Sequence, residues 1–152
     1  MTIRLRAGGP TDSAAVSALV DAAYRHYVPR IGMRPGPMDA DYEKVLRDDD
    51  VTLAVDGEDL AGVLVLSRHD GAFWIENVAV APGYRGRGLG KRLLMRAEDA
   101  ARVAGFDAIS LFTHEQMTEN QELYRRLGYV QFDHRGFRVF LRKQLTGSAA
   151  YG

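Results

Sequence analysis

Val78-Ala79-Val80-Ala81-Pro82-Gly83-Tyr84-Arg85-Gly86-Arg87-Gly88-Leu89-Gly90 joins an apolar, strand-like run to a helix through a turn in which glycines alternate with other residues. Glycine adopts backbone dihedrals that other residues avoid and lets main chain approach a ligand closely. At a helix start the first N–H groups have no intrahelical partner, and the helix dipole favours negative charge there. Arg85, Arg87, Lys91 and Arg92 add positive charge, with no acid downstream until Glu98. Together these features describe a phosphate cradle. The plainer alternative is a glycine-rich turn that holds nothing. It is disfavoured because clustered glycines cost backbone entropy on folding.

Spacing narrows the phosphate ligand. A Walker A loop needs glycine five positions before its Gly-Lys pair, followed by Ser or Thr; here those positions hold Arg85 and Arg92. A dinucleotide fingerprint, Gly-x-Gly-x-x-Gly/Ala, would need its last glycine or alanine at Lys91 or Leu93. Both patterns fail.

Outward from the turn, hydrophobic periodicity predicts the remaining elements. Residues 2–7 alternate like a half-buried strand, and a helix is expected over about 12–28. Pro29 to Pro37 reads as a loop without regular structure, followed by a short helix over about 39–47 with an acidic first turn. Runs at 51–55, 60–67 and 72–81, parted by Asp56-Gly57 and Asp70-Gly71, read as an antiparallel meander. A helix over about 88–104 comes next, burying Leu89, Leu93, Leu94 and Ala97. Then follow a strand at 107–113, a short helix from Thr118 or Glu119 to near Gly128, and a final hairpin around Arg135-Gly136. The expected fold is one α/β domain over residues 1–145. It has a mixed, mostly antiparallel twisted sheet of about seven strands, about four helices, and a parallel strand–helix–strand unit at 72–113. Residues 146–152 read as a frayed tail.

Composition bounds the function. The 152 residues suit one core, and 46% apolar with 26% charged residues is ordinary for a soluble globular protein. Lys and Arg balance Asp and Glu at 20 each, so no bulk attraction to nucleic acid or anionic membrane is implied. There is no cysteine, which excludes disulfides, thiolate metal sites and cysteine nucleophiles. No apolar run approaches spanning length, and the expected location is the cytoplasm. The histidines lack metal-ligand spacing, so no metal is expected.

The quoted stretch resembles motif A of the GNAT superfamily of N-acetyltransferases, Gln/Arg-x-x-Gly-x-Gly/Ala, with Arg85, Gly88 and Gly90 at the matching positions. Asn120-Gln121-Glu122-Leu123-Tyr124-Arg125-Arg126-Leu127-Gly128-Tyr129 resembles that family's motif B at the expected distance downstream. The resemblance covers roughly residues 2–145. It implies acetyl-CoA as co-substrate, with Arg85, Gly86, Arg87, Gly88, Leu89, Gly90 and Lys91 at the pyrophosphate. Pantetheine is then expected beside Val78, Ala79 and Val80, pairing with main chain like an added strand. The acceptor implied is a primary amine of a small molecule or peptide, attacked directly in a ternary complex, and a homodimer would be in keeping with the family.

Transfer of this kind needs a donor for the departing thiolate and an acceptor for the amine proton. Tyr124, one helical turn after Asn120 on the same face, is the candidate donor, and both residues are expected to contact the cofactor; the alternative is a packing tyrosine. Glu76 is the candidate base, because an acid within an apolar strand is expensive unless a partner or a site accommodates it; the alternative is a structural carboxylate. His114 closes a strand near the expected reaction centre and is a candidate for substrate contact. Tyr24, Tyr27, Met33, Met38 and Tyr42 flank the loop that lines the acceptor site in similar enzymes, or else they pack against the core. Two other functions compete: a non-catalytic acyl-CoA-binding sensor that keeps the cradle without the chemistry, and a nucleotide-binding regulatory domain, disfavoured by the failed spacings.

Overall fold

The computed structural model describes residues 2–145, so the expected tail at 146–152 lies outside the described residues. The strands are β1 (Arg4–Ala7), β2 (Asp50–Asp56), β3 (Asp59–His69), β4 (Ala72–Val80), β5 (Ala108–His114), β6 (Val130–Arg135) and β7 (Arg138–Gln144). They form one seven-stranded sheet in the order β1-β2-β3-β4-β5-β7-β6. Every neighbouring pair is antiparallel except β4 with β5, as the strand–helix–strand unit requires. The final strand β7 inserts between β5 and β6, an order that no local pattern encodes.

The helices are α1 (Ser13–Tyr24), α2 (Tyr27–Ile31), α3 (Tyr42–Asp48), α4 (Leu89–Val103) and α5 (Thr118–Arg126). The expected helix 12–28 is therefore two helices, which raises the expected four to five among the described residues. Pro29 is the physical reason. Within a continuous helix it would supply no N–H for the Arg25 carbonyl and its ring would clash there. In the observed arrangement Pro29 sits in the first turn of α2, where no partner is needed, and Gly32 closes that helix at φ +74°. The segment expected to lack regular structure thus carries a helical turn, and a 3₁₀ turn follows at Gly36–Asp39.

Helices cover both faces of the sheet. On one, Leu89, Leu93, Leu94 and Ala97 of α4 and Tyr124 of α5 pack with Leu64, Leu66, Ile109, Leu111 and Leu141. On the other, Val16, Leu19 and Val20 of α1 and Leu46 of α3 pack with Leu53, Val63 and Val65. Strand β4 changes sides midway. Val65 of β3 pairs with Asn77 but the next residue, Leu66, pairs with Ile75, so Glu76 is an extra, unpaired residue on β4. This bulge flips the alternation. Phe73 and Ile75 face α4 before it, whereas Val78 and Val80 do so after it and Ala79 turns to α1. None of the helices among the described residues is long and apolar enough to cross a membrane.

One buried charge ties α4 to the sheet. Glu98 is only 5% exposed. It accepts from Lys143 Nζ at 3.0 Å and from the Tyr129 hydroxyl at 3.2 Å, with Arg102 at 4.0 Å. Removing one partner from such a pair strands the other charge. Lys143→Ala should lower the unfolding free energy by about 3 kcal/mol, and adding Glu98→Gln should recover part of that loss. Equilibrium urea denaturation checks both, and a loss below about 1 kcal/mol would mean the pair behaves as a solvated surface bridge.

Candidate active site

Strands β4 and β5 are paired at a single register position, Trp74 with Ser110. Beyond it they diverge, while β4 stays paired with β3 to Val80 and β5 with β7 to His114. The Ala81 N–H donates to the Ala61 carbonyl across β3 at 2.8 Å. Peptide groups two residues apart point the same way along a strand, so Ala79 turns its main chain to β3 while Val78 and Val80 turn theirs to the opening. The Tyr24 hydroxyl reaches into this gap, 2.9 Å from Asn77 Oδ1 and 3.2 Å from the Val78 carbonyl. An edge of free donors and acceptors is thus available to an extended ligand.

The glycine-rich turn closes one end of the opening. Gly86 and Gly88 have φ of +77° and +78°, a region that side chains rarely adopt, and a Cβ at either would meet nothing within 4 Å. The dihedral demands glycine there, and the space beside it is open. Among the described residues, the amides of Gly86, Gly88, Leu89, Gly90 and Lys91 donate to no protein acceptor. They form a nest of N–H groups at the start of α4. The Leu89 side chain points away into the core, 4% exposed. The charges are deployed less directly than the sequence suggests. Arg85 donates to the Ala23 carbonyl at the end of α1 (2.7 Å), Arg92 donates to the Ile3 carbonyl, and Arg87 lies over the Tyr84 ring.

Two cavities flank the gap. One, of about 670 Å³, runs along Val78–Val80, Gly86, Gly88 and Lys91 to Glu119. The other, of about 550 Å³, lies between the 33–40 segment, the bulge of β4 and the ends of β5 and β7. Both are lined by Tyr24, Val78, Asn120 and Tyr124. Tyr124 is 7% exposed, and among the described residues its hydroxyl has no hydrogen-bond partner. Burial pushes its phenol well above the ordinary tyrosine range, so it is a neutral O–H donor where the cavities meet. Asn120 sits on the same helix face.

Glu76 is not buried as an apolar strand position would suggest, because the bulge carries it out to the second cavity with a side-chain exposure of 32%. Its Oε1 accepts from Ser67 Oγ at 2.6 Å and lies 3.0 Å from His69 Nε2. Its other oxygen has no protein partner among the described residues. His69 stacks on Trp74, and the Asp70 and Glu76 carboxylates raise its pKa. Asn77 donates to the Tyr42 hydroxyl, which itself donates to the Pro37 carbonyl, and burial pushes Tyr42 up to about 12. His114 and Met33 line the same cavity.

Two expected acceptor residues lie elsewhere. Met38 is packed beneath α1 and α3 and does not line the cavity. Tyr27 lines the cradle-side cavity, where its hydroxyl donates to Glu119 and Arg30 pairs with that same carboxylate. The sequence reading missed Asp49, Ser67, His69, Phe112, Phe137 and Arg138. The last two reach the cavity through the β5–β7 pairing, which has no local signature. Among the described residues no group of His, Asp or Glu side chains is arranged to hold a metal ion.

A model of the acetyltransferase (GNAT) family matches residues 16–129. The IAA acetyltransferase of Azospirillum brasilense is 35% identical over 69 residues, 45% of each chain. Streptothricin acetyltransferase of Streptomyces lavendulae is 35% identical over 82 residues, 53% of this chain and 43% of that protein. The matches thus span less than half of these curated relatives. Among solved structures, a PaiA N-acetyltransferase from Thermoplasma acidophilum in complex with coenzyme A has a TM-score of 0.78 at 18% identity, covering 95% of this chain and 99% of that one. A GNAT family acetyltransferase from Elizabethkingia anophelis with acetyl-CoA bound has a TM-score of 0.70 at 19% identity, covering 94% and 98%. With the family model matched over residues 16–129, most of the chain, this chain belongs to the GNAT family of acetyltransferases.

Proposed function

We propose that the protein is an N-acetyltransferase that moves the acetyl group of acetyl-CoA to a primary amine of a small molecule or peptide, by direct attack in a ternary complex. The observation that carries this reading is the meeting of two cavities at Tyr124. One has the amide nest and free strand edge suited to a pyrophosphate and an extended pantetheine. The other is large enough for a drug-sized molecule.

In this reading Gly86, Gly88, Leu89, Gly90 and Lys91 hold the pyrophosphate through main-chain N–H groups, and Val78 and Val80 pair with the pantetheine amides. The acceptor amine approaches from the 550 Å³ cavity. Its lone pair forms the C–N bond as the C–S bond breaks, the departing thiolate takes the Tyr124 proton, and the amine's surplus proton leaves toward the free oxygen of Glu76, directly or through water. Tyr124 suits its part because burial disfavours the phenolate and leaves its proton available at neutral pH.

Gly88→Asp should abolish CoA binding while the domain stays folded, losing about 1 kcal/mol through the left-handed backbone. Calorimetry with CoA decides it, and unchanged affinity would remove the cradle from the account. Tyr124→Phe should lower kcat and kcat/KM together by roughly 10²-fold, with CoA affinity nearly intact. Turnover equal to wild type under chemistry-limited conditions would return Tyr124 to packing. Glu76→Gln should depress turnover near neutral pH without weakening acetyl-CoA. If kcat/KM instead keeps a rising limb that tracks the pKa of each acceptor amine, the enzyme selects free amine and Glu76 is structural.

A further inference from the structure

The 550 Å³ cavity is electrically two-sided. Its positive side is built by β5 and β7. Arg138 stands opposite His114 in the strand register. Its guanidinium lies over the rings of Phe112 and Phe137, 4.9 and 5.7 Å from their centroids. Among the described residues the Arg138 guanidinium has neither a carboxylate partner nor a hydrogen bond, whereas Arg34 at the same cavity already pairs with Asp39 and Asp21. Phe137 also stacks on His114 at 5.0 Å, so one exposed ring carries a guanidinium and an imidazole. The Gln116 N–H donates to His114 Nδ1 at 3.1 Å. That bond leaves the Nε2 position of the neutral ring as an N–H donor. Arg138 and His114 therefore offer only donors to whatever enters.

The opposite side is acidic. Glu76 keeps one oxygen free, and Asp49, at the mouth of α3, has no ion-pair partner among the described residues. Burial, and next the Glu76 and Asp48 carboxylates, push Asp49 above the usual carboxylate range, so a cation there relieves both groups. Phe112, Tyr42 and Met33 add apolar and aromatic lining to the same cavity.

We infer that the acceptor is an amino-carboxylate small molecule, its carboxylate held by Arg138 and His114 and its amine drawn to the Glu76 and Asp49 side beneath Tyr124. This assignment rests on the N-acetyltransferase reading and deepens it. The planar guanidinium matches a carboxylate in two-point contact. Counting from the Trp74–Ser110 pairing, Glu76 is two residues along β4 and His114 four along β5, so the two poles are offset by about two residues, a rise of roughly 6.6 Å, before the divergence of the strands is added. An amine several carbons from the carboxylate fits this span better than an α-amine.

The test uses the full chain with acetyl-CoA and measures free-thiol release. The acceptors are α- and ω-amino acids, the carboxamide of each, and short peptides that carry the same amine with the carboxylate several residues away. Rates are expressed per free amine. The expected result is a preference for carboxylate over carboxamide of roughly tenfold or more, largest in the ω series. In Arg138→Gln that preference should fall toward one through a raised KM with kcat little changed, and Arg138→Lys should retain part of it. Carboxamides or peptides used as well as the amino acids, or a preference that survives Arg138→Gln, would overturn the assignment while leaving N-acetyl transfer standing. Failure of every amine with CoA bound would overturn the transferase reading and this assignment together.

Discussion

Parallel strands β4 and β5 touch at Trp74 and Ser110 and then part, and that divergence makes room for everything else. A sheet does not open without compensation, since unpaired main-chain groups buried away from water are costly. Here the outer edges of both strands stay fully paired, to β3 and β7. Val78 and Val80 keep their side chains against the α4 core, and the Tyr24 hydroxyl meets the one carbonyl it can reach. The remaining donors and acceptors face a cavity rather than a packed interior. The Glu76 bulge belongs to the same arrangement. By inserting one residue it turns Val78 and Val80 toward α4 and sends its own carboxylate to the opposite cavity.

The same opening explains the charge distribution. At the cradle end the protein presents main-chain N–H groups rather than a cluster of bare cations, because Arg85 and Arg92 are occupied in holding α1 and the segment before β1. A nest of this kind suits an anion of fixed geometry and leaves the net charge of the chain at zero. At the far end the wall from β5 and β7 is cationic and aromatic, and the wall from β4 and α3 is acidic. Tyr124, neutral and buried, lines both cavities.

Much of this was legible in the sequence for identifiable reasons. Gly86 and Gly88 favour glycine because their φ values strain any side chain, and Leu89, Leu93 and Leu94 repeat at helical spacing against the sheet. Those constraints are local and leave a local trace. What escaped was long-range. The α1–α2 break was marked by Pro29 and the end of α2 by Gly32, but the Arg30–Glu119 pair that joins α2 to α5 spans the fold. The bulge at Glu76 exists only relative to β3. Arg138 and Phe137 belong to the site because β7 inserts beside β5, and Met38 left it because the 3₁₀ turn at Gly36–Asp39 packs that side chain inward.

In the proposed reaction an acyl-CoA enters the gap between β4 and β5 as an added strand anchored at the start of α4. Amide hydrogen exchange at single-residue resolution, with and without CoA, tests it most directly. Exchange should slow at Val78, Val80, Gly86, Gly88 and Lys91 on binding, with the β5–β7 ladder unchanged. Binding that leaves those amides as they were, and protects others instead, would contradict it.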